Sequence, residues 1–503
     1  MRHPGLLVRL LLGTLLLAAP ALLNRQPLLY EDIFAYLRGP AVISLQLGGP
    51  RFENAWSKVH RPLAAPAPAA AEAPAVAPEA PAAQQDRSIE AGRSIYWGTL
   101  AYLTWLASGF WLLVVLQAAI VAWLLDLLLL RCLRLGTAWY AGALVGLTLL
   151  TPLPYYVAYV MPDLFAAVAI LGAALLVGFW RDLARTDRVL LWLLVAFGVM
   201  AHASHLLTLA AILVVCAVAA LLRRTPAPRA APLLALAACV ALGALGEVAF
   251  GQAVRLALHQ SPLRLPHMTA HLIEMGPGLD LLRAQCGGAS PFALCAYVDR
   301  LPVDWVSFLF DSDPARGVFG AADMVLKRRI SEEQTRFLLA TLAHDPLGTA
   351  TGLLRDGLEQ VVSFGLPDIV YTQKRLDFFA GYFPAALAEG APRTLVQTHP
   401  AITRVHEAII YAVALAALLA GGIALLRPGP ARRDPAWDGA ATVALVVLLG
   451  LVVNGLVCGM LASPYGRFEA RVIWLLPLVA MALVGLRLRA GARQAVAAGA
   501  QAA

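Results

Sequence analysis

Charge is what this chain has least of. Only 14% of its 503 residues are Asp, Glu, Lys or Arg, against 60% apolar, and the mean hydropathy is +0.71. That balance excludes a water-soluble protein of this length, which would lack the polar surface to cover itself. Cysteine is sparse too, with six residues, and no second pair of ligands flanks Cys286 and Cys295 at the short spacing a zinc site uses. Internal repetition is missing, and few charges fall at the middle of apolar runs. Secondary transporters carry both features, so that class is disfavoured. The formal net charge of +8 and pI near 9.3 do not imply a nucleic-acid partner, because in a membrane protein the placement of basic residues matters more than their sum.

What the chain has instead is repeated apolar runs of about 17 to 25 residues, each long enough to cross roughly 30 Å of hydrocarbon at 1.5 Å per residue. The expected fold class is an all-α polytopic membrane protein of about ten transmembrane helices with a mainly α extracytoplasmic domain. The runs fall at 5–23, 109–130, 137–157, 161–180, 189–203, 206–222, 231–251, 402–426, 440–462 and 471–486. One set of loops holds Arg2 and Arg9, Arg131 and Arg134, Arg181, Arg185 and Arg188, Arg223, Arg224 and Arg229, Arg427, Arg432 and Arg433, and Arg487, Arg489 and Arg493. Only Asp182, Asp187, Asp434 and Asp438 oppose them. Short loops this basic belong in the cytoplasm, so both termini are expected inside. Hairpins at Ala201-His202-Ala203-Ser204-His205 and at Thr151 to Asp163, where three prolines break the helix, keep that parity. The first run has signal-peptide features, but it is long and Pro20 suits cleavage poorly, so it reads as a retained span. Asp126 and Glu247, near the ends of their spans, read as facing headgroups.

The opposite side then receives 24–108 and 252–401, with 109–251 carrying spans two to seven, 402–486 the last three, and 487–503 a cytoplasmic tail. Within 24–108, residues 61–85 are Pro and Ala with an occasional acid, a linker with nothing large to pack. Ser94 to Leu106 is rich in Tyr and Trp and suits an interfacial helix or the start of the next span. Segment 252–401 carries helical signals, a capping box at Ser331-Glu332-Glu333-Gln334 and Asp345-Pro346.

Against this background Tyr30-Glu31-Asp32 stands out as an acidic pair just past the first span. Alone it reads first as the polar start of a loop. Asp163 follows Met161-Pro162 at the start of the fourth span, where it doubles as an N-cap. His202 and His205 occupy an outer turn, and Arg467 and Arg471 lie four apart, on one helical face. All are expected on one side. Arginine forks match phosphate oxygens, and a carboxylate serves as general base to a hydroxyl.

Tyr30-Glu31-Asp32, Met161-Pro162-Asp163 and Arg467-Phe468 followed by Val472-Ile473-Trp474-Leu475-Leu476-Pro477-Leu478 resemble the C-type glycosyltransferase superfamily, which includes protein O-mannosyltransferases and lipid A aminoarabinose transferases. The resemblance implies inverting transfer of a sugar from a polyprenyl-phosphate donor to a glycan, lipid or protein acceptor. It implies a periplasmic site in a bacterial inner membrane serving the cell envelope. By that likeness Asp32 is the base, Glu31 orients the acceptor or a cation, Asp163 completes the acidic cluster, and Arg467 or Arg471 holds the leaving phosphate. Tyr30, His202 and His205 complete the substrate contacts, and a divalent cation could sit among the carboxylates. The competing reading is a non-catalytic subunit of an envelope-polysaccharide assembly or export system.

Of the cysteines, Cys132, Cys216, Cys239 and Cys458 lie in or beside spans, whereas Cys286 and Cys295 sit together in the outer segment, where an oxidising compartment would pair them. Intact mass after alkylation, with and without prior reduction, should differ by two blocked thiols; two thiols that alkylate freely without reductant would remove this support for the sidedness.

Overall fold

The computed structural model describes residues 4–58, 90–91, 93–222, 230–287 and 291–502. The linker read at 61–85, and Arg2, Arg223, Arg224 and Arg229, lie outside the described residues. Almost everything described is helical; among the described residues the only strands are the parallel pair Glu90–Ala91 and Leu263–Arg264. Among the described residues, seven helices are long and apolar enough to cross a membrane: Gly5–Leu23, Trp111–Cys132, Ala203–Leu222, Ala230–Leu256, Ala401–Leu426, Trp437–Leu461 and Arg467–Val496. The molecule is a multi-pass helical membrane protein. The remaining apolar runs form shorter helices. Thr137–Leu150 stops at Pro152, a second turn Leu153–Ala158 follows, and Leu164–Phe179 is buried on nearly every face.

The bundle has two chemically distinct ends. At one, the basic loops gather. Arg131 pairs with Asp187 at 2.8 Å, tying the end of the Trp111 helix to the first turn of Arg185–Ala201. Arg489 donates to the carbonyls of Leu133 and Arg134 and to Asp434 at 2.7 Å. Asp126 does not face headgroups, contrary to the sequence expectation. It is fully buried, at the start of a π-helical turn, Asp126–Cys132, that faces it inward onto Arg9 at 2.8 Å and Arg131 at 3.2 Å. A carboxylate inside a bundle is tolerable when cations neutralise it. Glu247 is half-buried.

At the other end the chain leaves the first helix and runs extended. Leu28 pairs in parallel with Tyr159, through Leu28 N to Ala158 O and Val160 N to Leu28 O, both 2.9 Å. Gln117 steadies the far side of that bend by donating to the carbonyls of Val157 and Tyr159. The next helix, Asp32–Gly48, packs on Ile95–Ser108. The latter is capped by Ser94, buries Trp97 and Tyr102, and is cut from the following span by left-handed Gly109 and Phe110.

Segment 252–401 divides between two cores. Residues from Leu263 to Phe337 close on each other, whereas Phe364 to Val396 pack into the core of the membrane helices. The helix over the expected capping box begins earlier, at Met324, because Asp323 caps it through Leu326 N; Ser331 is interior and accepts from Arg264 N. Asp345 does cap the next helix, Pro346–Val362, through Gly348 N. Cys286 and Cys295 are disulfide-bonded, their Cα atoms 5.2 Å apart.

Pro346–Val362 lies close against Trp437–Leu461, and Gly455 and Gly459, one turn apart, make that approach feasible. A Cβ on Gly459 would strike the Asp356 carbonyl and meet Gln360 Cβ at 2.7 Å; one on Gly455 would meet Val361 Cα at 2.8 Å. Gly459→Val should therefore cost about 1–3 kcal/mol, read as a fall in the melting temperature in detergent. Gly251→Ala, where a Cβ meets nothing within 4 Å, should melt as the wild type does.

Candidate functional site

Charge at this end is arranged as an alternating chain. The Arg375 guanidinium reaches Glu31 Oε1 at 2.7 Å through Nε and Asp368 Oδ1 at 3.0 Å through Nη2. Asp368 Oδ2 lies 3.6 Å from Arg467 Nη1. Arg467 Nε lies 3.7 Å from Asp163 Oδ1, and the same oxygen is 3.7 Å from Arg471 Nη1. Three carboxylates and three guanidiniums thus run as Glu31, Arg375, Asp368, Arg467, Asp163, Arg471. Glu31 is the open end of the chain, at 32% side-chain exposure, and Arg471 the most buried member, at 2%.

Local structure explains each position. Asp163 precedes the first residue of Leu164–Phe179, yet its side chain caps nothing; the carboxylate turns to the two arginines instead, so the capping role fails. Arg467 and Arg471 share one face of the short helix Arg467–Ile473. Asp368 sits in the loop after Pro346–Val362 and Arg375 in the first turn of Gln373–Tyr382. Tyr30 wedges between the cations, with its ring centroid 4.1 Å from the Arg467 guanidinium and 4.7 Å from that of Arg375. Such cation–ring contacts gain strength when desolvated.

Neutral groups satisfy part of what the ion pairs leave, while Glu31 Oε2, Arg467 Nε and Arg471 Nε keep no hydrogen-bond partner among the described residues. Tyr465 donates to Asp368 Oδ1 at 2.6 Å, and Arg467 donates to the Tyr159 hydroxyl at 3.4 Å. Burial first, then the Asp368 charge, hold the Tyr465 hydroxyl well above the ordinary phenol range, so it stays a donor. Burial also raises Tyr30 and pushes Tyr371, whose hydroxyl receives the Leu29 N–H, up to about 12. At the deep end Arg471 donates to Asn454 at 3.0 Å, Ser204 at 3.1 Å and Cys458. Asn454 in turn donates to Glu469 at 2.8 Å.

The structure therefore brings together Tyr30, Glu31, Asp163, Arg467 and Arg471. Asp32 is placed differently from the sequence expectation. Glu31 already has helical backbone angles, so Asp32 projects about 100° further round the axis. It meets Arg93 at 2.9 Å instead of the arginine chain. His267, stacked on Trp305, sits within reach of this pair's field: burial pushes it down to about 4, with Arg93 adding to the shift and Asp32 opposing it. His202 lies 2.9 Å from Ser204 Oγ and so joins at one remove behind Arg471. His205 does not join; it faces back into the bundle, on the Gly198 carbonyl at 2.8 Å. Sequence reasoning missed Arg375, Asp368, Arg93, Tyr159 and Tyr465. All but Tyr159 lie in polar stretches where such residues are common, and Tyr159 was read only as part of a turn.

A divalent cation suits this arrangement poorly. Among the described residues no group of three His, Cys, Asp or Glu is placed to hold one, and each carboxylate of the chain already faces a guanidinium. Comparison with protein-family models, curated proteins and solved structures finds no match for this chain.

Arg375 joins Glu31 to Asp368 and is itself largely buried. Arg375→Ala should destabilise the protein by about 3 kcal/mol, because it takes the nearer guanidinium from the buried Asp368 carboxylate and, among the described residues, the only one from Glu31, and adding Asp368→Asn should recover part of the loss. A denaturation cycle in which the double variant is no better than the single would show that the pair is not coupled.

Proposed function

We propose that this protein is an inverting glycosyltransferase of the bacterial inner membrane, moving a sugar from a polyprenyl phosphate to an acceptor on the periplasmic side. The reading keeps the resemblance to the C-type superfamily, about ten spans, cytoplasmic termini and a mainly α extracytoplasmic domain. One observation carries it: two partly exposed carboxylates, Glu31 and Asp32, stand directly in front of buried guanidiniums that match a phosphate.

In this reading Asp32 takes the proton of an acceptor hydroxyl as its oxygen bonds to the anomeric carbon. The bond from that carbon to the phosphate oxygen breaks on the opposite face, and the leaving lipid phosphate gathers its charge against Arg467, the shallower of the two late arginines. Glu31 orients the acceptor, Tyr30 walls the phosphate, and Asp163 holds both late arginines in place. An apolar cleft of about 550 Å³ supports a lipid donor. Pro20, Leu28, Leu149, Ala158, Val405 and Ile409 help to line it, and Leu28 and Ala158 sit on the backbone bridge that also carries Tyr159 to Arg467.

The second reading, a non-catalytic subunit of an envelope-polysaccharide assembly, draws on the same chain of charges. Three acids neutralise three bases, which is what a structural tie between four segments requires.

Asp32 separates the two, because it lies outside that chain. Asp32→Asn should insert and melt as the wild type does yet fail to restore the surface glycan or glycoprotein lost on deleting the gene. Full complementation by this variant would favour the scaffold.

A further inference from the structure

The basic end carries more positive charge than its own acids use. Asp126, Asp187 and Asp434 are spent on Arg9, Arg131, Arg489 and Arg493. Arg134, Arg181, Arg185, Arg427, Arg432 and Arg433 remain exposed, with only Asp182 and Asp438 exposed beside them. Part of this surplus is focused by a covalently distant but rigid arrangement. The Arg489 guanidinium holds the Arg134 carbonyl at 2.8 Å with one nitrogen and the Asp434 carboxylate at 2.7 Å with the other. One guanidinium spanning both places those two acceptors within about 8 Å of each other.

The Leu133–Arg134 turn is thereby fixed against the 3-10 turn Gly429–Arg433, which itself packs on the last helix. Arg134 is held in the left-handed region, φ 53°, a conformation unusual for a residue with a side chain, and the two hydrogen bonds from Arg489 to this turn keep it there. Arg134, Arg432 and Arg433 consequently leave two adjoining segments, all three exposed and none in an ion pair among the described residues.

We propose that Arg134, Arg432 and Arg433 form a binding site for the phosphate headgroup of an anionic phospholipid. Three guanidiniums on neighbouring turns present forked donors to a phosphate diester, and the spans on which they sit keep that site at headgroup depth, where such a lipid is the phosphate at hand. Arg489, whose two terminal nitrogens are taken up by carbonyls and Asp434, positions the turns without binding the lipid. The site is separate from the alternating chain at the opposite end and does not depend on the glycosyltransferase reading.

The full-length protein in nanodiscs made from equal parts phosphatidylglycerol and phosphatidylcholine, released into detergent and weighed intact, tests this. Wild type should retain phosphatidylglycerol in preference to phosphatidylcholine. Arg134→Gln with Arg432→Gln and Arg433→Gln should lower that preference by about tenfold or more, while Arg181→Gln with Arg185→Gln, charges removed at the same end, should leave it. Equal retention of the two lipids by wild type, or equal loss in both variants, would overturn a localised site. Displacement of the retained lipid by millimolar inorganic phosphate would overturn a lipid occupant in favour of the free anion. Melting temperatures in neutral detergent should agree among the three proteins; a variant that melts early is replaced by its single substitutions, which must each weaken retention.

Discussion

The alternation of guanidinium and carboxylate from Glu31 to Arg471 is the constraint on which this end of the molecule depends. Six charges removed from water carry a desolvation penalty of several kcal/mol each, which only close opposite charges and complete hydrogen bonding offset. Alternation supplies the first condition, since no two like charges adjoin. Tyr465, Tyr159, Asn454 and Ser204 supply much of the second. The chain also crosses segments far apart in sequence: the first loop, the start of Leu164–Phe179, the loop at Asp368 and the opening of the last helix. Removing any one cation would leave at least one carboxylate with fewer opposite charges than it now has, so these segments are held in one arrangement by mutual need.

That dependence explains which parts of the fold and site the sequence made legible. Apolar runs announce membrane helices because nothing else satisfies the backbone in hydrocarbon, and acids or arginines at their ends are conspicuous by contrast. Glu31, Asp163, Arg467 and Arg471 were visible for that reason. Arg375 and Asp368 were not, because Gly365-Leu366-Pro367-Asp368 reads as a turn and Lys374-Arg375 as solvated surface. Their burial follows from the packing of residues 364–396 into the membrane core, a tertiary fact with no local signature. Asp126 misled for the converse reason. Its place near the end of a run suggested headgroups, but Arg9, more than a hundred residues away, makes an interior position tolerable.

Helix count was less legible than helix character. A run of 20 apolar residues at 161–180 yields the 16-residue helix Leu164–Phe179 because Pro162 and Asp163 are given to the bend that builds the site. The run at 137–157 is likewise divided at Thr151-Pro152. Both losses occur at the same end, where helix length is exchanged for irregular backbone. Such backbone is tolerable at membrane depth only where protein covers it, and here Gln117 and the Leu28 bridge satisfy its carbonyls and amides.

The two ends of the bundle differ in how an incoming anion would be received. At the basic end the exposed arginines are in surplus, and a phosphate adds to them without displacing anything. In the alternating chain every cation is already matched, so a phosphate must exchange with a resident carboxylate. Asp163 and Asp368 are almost wholly buried and each touches two guanidiniums. Glu31 touches only Arg375, is a third exposed, and begins a helix whose next residue is anchored separately by Arg93. Exchange therefore starts most easily at Glu31, at the open end of the chain, and Tyr30, sandwiched between Arg375 and Arg467, must shift as it proceeds. An anion that enters by this route arrives beside Asp32, the one carboxylate of the region whose bond to Arg93 is untouched by the exchange.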